Sequence, residues 1–109
     1  MQQNGMISIP DFEPGSQRIV TTGCGRLLVC RTDDAAFALD NDCPHAGQSL
    51  FGGVVTNDRI RCPFHGAVFD LRTGQSIGSR LNPLRLYPTQ IRDGEIKIIL
   101  NTAELKDKS

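Results

Sequence analysis

The sequence predicts an all-β fold, an antiparallel β-sandwich or barrel interrupted by an irregular insert. Three observations carry that reading. Short apolar stretches recur about every ten residues, each closed by a turn signal. No apolar periodicity supports a helix longer than two turns. Between Asn41 and Pro83 the texture changes to Gly, Pro and polar residues with only short apolar pieces.

Element by element, Met6 to Ile9 reads as a first strand stopped by Pro10-Asp11, and Glu13-Pro14-Gly15-Ser16 as a turn. Gln17 to Thr21 is a second strand, Arg26 to Arg31 a third, and Ala35 to Leu39 a fourth, entered through the turn Thr32-Asp33-Asp34. Inside the insert, Val54-Val55, Ile60-Arg61 and Ala67 to Asp70 are the best strand candidates, with Asn57-Asp58 and Thr73-Gly74 as tight turns. Leu84 to Arg92 reads as one long strand that Asp93-Gly94, the strongest hairpin signal in the chain, joins to Glu95 to Leu100. The expectation is one domain over 1–109, with a base formed by 1–40 and 84–100, a ligand-bearing part at about 41–83 and a frayed tail at 101–109. A structureless stretch of that length is usually functional, and something other than an apolar core is expected to hold it.

Composition excludes several classes. Twelve basic and twelve acidic residues leave no net charge, which argues against nucleic acid as a partner. No apolar run approaches the roughly 20 residues that span a bilayer, and Met1 to Ile9 lacks the pattern of a signal peptide. A cytoplasmic protein away from membranes is the expectation. Two of the four cysteines, Cys24 and Cys30, read as unpaired thiols in a reducing compartment, with no assigned role.

The chemistry lies in the insert. Cys43-Pro44-His45 is followed, after sixteen residues, by Cys62-Pro63-Phe64-His65-Gly66. The chain has only two His, and both are here. Two thiolates and two imidazoles make a complete four-ligand set. Pro44 and Pro63 restrict the backbone next to each Cys, while Gly47 and Gly66 follow the His residues and let the chain bend sharply. Zinc also accepts such a set, but zinc loops usually pair Cys with Cys and His with His; here each loop supplies one of each. Paired in this way, the two Cys can gather on one iron and the two His on the other.

Cys43-x-His45 followed by Cys62-x-x-His65 resembles the Rieske motif, and the stretch Asp40 to Asp70 with its flanking strands resembles the Rieske ferredoxins of bacterial multicomponent oxygenases. That resemblance implies a Rieske fold, two β-sheets carrying a small cluster-binding subdomain of two loops. It implies one 2Fe–2S cluster with Cys43 and Cys62 on the inner iron, and with His45 and His65 on the outer iron through Nδ1, near solvent. Gly47, Gln48, Phe64, Gly66 and Pro83 would surround the cluster, and Leu50 would flank it or pack the core. Pro83 resembles the family's proline loop; the plain alternative is a turn before the strand at Leu84.

The respiratory members carry an extra Cys in each loop where this chain has Gln48 and Phe64, and a Ser and a Tyr near the cluster where it has Ala67 and Phe69. Fewer hydrogen-bond donors to sulfur imply a potential in the lower part of the Rieske range, below about 0 mV. Phe51, Phe64 and Phe69 read as insert core, and Arg59, Arg61 and Arg72 as a solvated face or a docking rim.

The function implied is that of a monomeric one-electron carrier with no catalytic residue of its own. It would accept electrons from a flavoprotein or NAD(P)H reductase and deliver them to a terminal, aromatic-ring-hydroxylating oxygenase. The rival readings are the small Rieske subunit of an assimilatory nitrite reductase and a zinc-stabilised interaction module. A self-sufficient oxygenase is excluded on ligand count, since a mononuclear iron site would need two further His.

Overall fold

The computed structural model describes residues 5–23, 25–42, 49–63, 66–78 and 80–100. Among them the strands are β1 Met6–Pro10, β2 Gln17–Thr22, β3 Gly25–Arg31, β4 Ala36–Asp40, β5 Val54–Thr56, β6 Arg59–Arg61, β7 Val68–Asp70, β8 Ser76–Ile77, β9 Leu86–Tyr87, β10 Thr89–Arg92 and β11 Glu95–Ile99. They form three antiparallel sheets, ordered β1-β11-β10, β2-β3-β4-β9 and β5-β6-β7-β8. No described helix is long and apolar enough to cross a membrane.

The second sheet is the middle layer, and β3 shows why. Side chains of a strand alternate between faces. Leu28 and Cys30, with Leu39 of β4, pack against Leu50, Ile60, Phe69 and Leu71 of the insert. Leu27 and Val29, with Ala36 and Ala38 of β4, pack against Phe12, Ile96 and Ile98. A strand covered on both faces loses the polar half of its alternation, hence the unbroken run Leu27-Leu28-Val29-Cys30, all buried.

Two sequence expectations change here. The insert does have an apolar core: Leu50, Ile60, Phe69 and Leu71 are all fully buried. Its strands are short, but each inward position is filled by a large side chain, so a few residues close the layer. The expected strand Leu84 to Arg92 is also two strands in two sheets. Leu86 and Tyr87 pair with Leu39 and Ala38 of β4, whereas Thr89 to Arg92 pair with β11. The switch falls on Pro88, which has no N–H to continue a ladder; its carbonyl still accepts from the Ile99 N–H at 2.9 Å.

Both expected two-residue hairpin turns are present. Asn57 and Asp58 have φ of 53° and 62°, and Asp93 and Gly94 have φ of 55° and 77°, the left-handed pair that matches the twist of the flanking strands. The Thr73-Gly74 turn is present as well, followed by the two-residue strand β8, which the sequence does not signal.

Candidate metal centre

The β5–β6 hairpin points its Asn57-Asp58 turn one way and brings Gly53 and Cys62 together at the other end, since Val54 pairs with Arg61. Cys62 is a free thiol, 1% exposed, set into the core with Leu28, Cys30, Leu39 and Leu50. Its loop is closed at the root: the Cys62 N–H donates to the Ala67 carbonyl at 2.7 Å, and the Gly66 N–H donates to the Cys62 carbonyl at 3.0 Å. Gly66 has φ of 72°, a left-handed conformation that glycine adopts without strain and that returns the chain into β7.

The other loop is closed in a similar way. Asp42 and Ser49 form an isolated antiparallel bridge on either side of it. The Leu50 N–H donates to the Asn41 carbonyl at 2.7 Å, and the Asn41 N–H donates to the Arg26 carbonyl of β3 at 3.1 Å. The Asn41 side chain, 1% exposed, donates through Nδ2 to Ser49 Oγ at 2.9 Å, and that hydroxyl accepts from the Phe51 N–H at 3.2 Å. Asn41 Oδ1 is buried with no hydrogen-bond partner among the described residues.

A third segment runs along the β8 edge of the sheet, from Ser76 to the β7–β8 turn on the Asn57-Asp58 side. The Leu84 N–H donates to the Gly74 carbonyl at 2.7 Å, and the Leu81 N–H donates to Ser76 Oγ at 3.2 Å. Leu84 is buried in the core shared with Cys62, while Pro83 is exposed beside it.

Of the predicted site residues, Cys62, Gly66, Pro83 and Leu50 are therefore described, and Leu50 is a core residue, fully buried. Cys43, His45, Gly47, Gln48, Phe64 and His65 lie outside the described residues, as do Cys24 and the expected frayed tail 101–109. Phe69 is core, but Phe51 is 49% exposed, contrary to expectation, because it occupies a corner of the turn that leaves the first loop. Arg72 is held by Asp58 at 2.6 Å, whereas Arg59 and Arg61 stand exposed on the outer side of β6. Cys30 stays a thiol: burial pushes its pKa up to about 12. Among the described residues no group of three or more His, Cys, Asp or Glu gathers as a metal site.

A buried, unpaired cysteine sulfur on a loop closed at its base suits a soft metal, and an iron–sulfur group fits this surrounding. The Rieske [2Fe-2S] domain model matches residues 6–88. The chain belongs to the Rieske [2Fe-2S] domain family. One Rieske-type 2Fe–2S cluster is accordingly its cofactor.

Relatives narrow the kind of Rieske protein. Ferredoxin CarAc of Metapseudomonas resinovorans is 33% identical over 90 residues, covering 81% of this chain and 84% of that protein. A chain of the solved complex of reduced oxygenase and oxidized ferredoxin in carbazole 1,9a-dioxygenase superposes with a TM-score of 0.78 at 31% identity, covering 86% of this chain and 92% of that one. Apoptosis-inducing factor 3 of mouse is 41% identical over 66 residues, 61% of this chain, but the match spans only 11% of that longer protein. A nitrite reductase small subunit of Mycobacterium tuberculosis has a TM-score of 0.74 at 20% identity, a likeness of fold alone.

Reading the sequence does not find Gln17, Asn41 or Ser49, whose side chains bind the segment 49–53. Polar residues at a strand start, a strand end and a loop end carry no signal of the partner they meet across the fold.

Proposed function

We propose that the chain is a one-electron carrier, taking electrons from an NAD(P)H-dependent flavoprotein reductase and passing them to a terminal, aromatic-ring-hydroxylating oxygenase. The observation that carries this reading is the match to a ferredoxin over 84% of its length and 81% of this chain. The 20% likeness to the nitrite reductase subunit does not compete with it.

In this reading Cys43 and Cys62 hold one iron and His45 and His65 the other, each loop giving one ligand of each kind. The cluster, when bound, accepts and releases a single electron. The chain's own part is to hold and shield. Cys62 enters from the apolar core, which keeps water from its sulfur, and the Asp42–Ser49 bridge and the Cys62–Ala67 bond fix where each loop begins and ends. Gly47, Gln48, Phe64, Gly66 and the exposed Pro83 complete the surround. The segment 41–83 serves as the cluster-binding part on a base of 1–40 and 84–100, and the chain works as a monomer in the cytoplasm. Ala67 and Phe69 donate nothing from their side chains, which supports a potential below about 0 mV. Arg59 and Arg61 are the exposed cations nearest Cys62 in sequence and form a rim for transient docking.

The test is spectroscopic and then kinetic. The purified chain should be coloured, contain iron and acid-labile sulfide, and give a Rieske-type EPR signal on reduction with dithionite. It should then carry electrons from NADH through a flavoprotein reductase to an oxygenase of this class. A colourless, iron-free chain after anaerobic reconstitution refutes the cluster assignment; a coloured chain that no such reductase reduces refutes the carrier role.

A further inference from the structure

Gln17 opens β2 in the middle sheet, where its backbone pairs opposite Cys30. Its side chain leaves that sheet and meets the turn Leu50–Gly53. Nε2 donates to the Gly53 carbonyl at 2.7 Å, and the Gly52 N–H donates to Oε1 at 2.9 Å. The carboxamide thus docks on the turn as an additional peptide unit would. The turn is closed by the Gly53 N–H donating to the Leu50 carbonyl at 2.9 Å, with Gly52 at φ of 91°.

This turn adjoins the roots of both loops. On one side it runs back through Leu50 into the Asp42–Ser49 bridge. On the other, Gly53 lies so close to β6 that a Cβ there would sit 2.5 Å from the Arg61 carbonyl, one residue before Cys62. Gly52 is exposed, so water can satisfy its N–H if the carboxamide is lost, whereas Gly53, whose carbonyl takes the other bond, is buried. The two bonds therefore fix the turn's position, and the one to Gly53 also adds stability.

We propose that Gln17 is a positioning residue for the cluster, holding the turn 50–53 and, next to it, the Asp42–Ser49 bridge from which the first ligand loop starts. This rests on the proposed ligand set. Without the carboxamide the turn opens more often, and the cluster is released faster.

The experiment uses the iron-loaded chain, wild type, Gln17→Ala and Gln17→Glu. Glu keeps an acceptor for the Gly52 N–H but sets a carboxylate oxygen against the Gly53 carbonyl. Cluster release to an iron chelator is followed by loss of visible absorbance, and amide exchange is followed over residues 49–53. Gln17→Ala, which loses both bonds, and Gln17→Glu, which loses one and sets a carboxylate against the Gly53 carbonyl, should each release the cluster about tenfold faster, with faster exchange confined to the turn. Thr89→Val, which removes a hydrogen bond to the Ala36 carbonyl in the other core, is the control for general weakening and should leave release unchanged. Release within about twofold of wild type in both Gln17 variants, or equal acceleration by Thr89→Val, overturns the assignment. An iron-free wild type refutes the ligand set and this inference with it; a loaded wild type with unaltered variants refutes this inference alone.

Discussion

Gly74 is where a single methyl group should do the most measurable harm. It has φ of 83°, and a Cβ there would lie 2.5 Å from the Leu84 carbonyl oxygen, against roughly 3.4 Å for ordinary contact. Gly74→Ala therefore carries two costs. The left-handed backbone costs about 1–2 kcal/mol for a residue with a Cβ. The Leu84 carbonyl must also retreat by roughly 0.9 Å. That retreat strains the bond from the Leu84 N–H to the Gly74 carbonyl, about 1 kcal/mol, and draws buried Leu84 partly out of the core, about 1 kcal/mol more. The expected loss is about 3–4 kcal/mol, a large share of the roughly 5–15 kcal/mol that holds most domains folded. Gly94 supplies the comparison: its φ is 77°, but nothing lies within 4 Å of a Cβ built there. Gly94→Ala should lose only the backbone part, about 1–2 kcal/mol. Urea unfolding followed by far-ultraviolet circular dichroism reads the difference, about 2 kcal/mol, as midpoints separated by about 1–2 M. Equal losses in the two variants would show that the 81–84 segment is not pressed against Gly74, and the reasoning from that contact would fail.

Other substitutions test other parts of the frame. Phe69→Ala empties the largest fully buried side chain of the layer under the loops and should cost about 3–5 kcal/mol by urea unfolding. Asp11 is held below the usual carboxylate range, chiefly by the hydrogen bond from Arg31, so its stabilising effect is present above that range and is lost as pH falls through its folded value. Melting temperatures of wild type and Asp11→Asn should differ at neutral pH and converge in acid. Tyr87, the chain's single tyrosine, is pushed up to about 12, first by burial and then by its hydrogen bond to Asp40 at 2.7 Å. Its phenolate absorbance should rise near pH 12 in the folded chain and near the usual 10 in urea, and stability should fall as pH climbs between those values.

The strand pattern was legible wherever one residue type settles a conformation. Asn57-Asp58 and Asp93-Gly94 mark hairpins because few other pairs accept two left-handed residues, and the unbroken run Leu27 to Cys30 marks a strand buried on both sides. What sequence did not give was assignment between sheets. Leu84 to Arg92 alternates well enough for one strand, and only the missing N–H of Pro88 hints that the chain changes partners there. Much of the insert's core was hidden for a similar reason: Ile60 and Leu71, which join the expected Phe69 and Leu50, are scattered singly among Gly and polar residues, so no local periodicity shows that the four converge. The cluster motif is the opposite case. The proposed ligands Cys43-x-His45 and Cys62-x-x-His65 stand out by residue type and spacing alone, readable without any fold, whereas Gln17 meets Gly52 and Gly53 only because the tertiary structure brings them together.

The sheet beside the proposed loops has strands of only three, three, three and two residues, a size that is not expected to be stable alone. It borrows its footing from β3 and β4, whose Leu28, Cys30 and Leu39 complete its core from beneath, while Gln17 and Asn41 tie the segment 49–53 to that same middle sheet. Apolar packing fixes the height of Leu50 and Cys62, and the side-chain hydrogen bonds fix the segment 49–53 laterally. An electron carrier gains from both, since ligands that barely move between oxidation states leave little reorganisation to be overcome at each transfer. The footing of the segment 49–53 and of Cys62 thus originates in residues such as Gln17 and Leu28, well before them in the chain. A substitution at either position should reach the metal through the frame rather than through any contact with it.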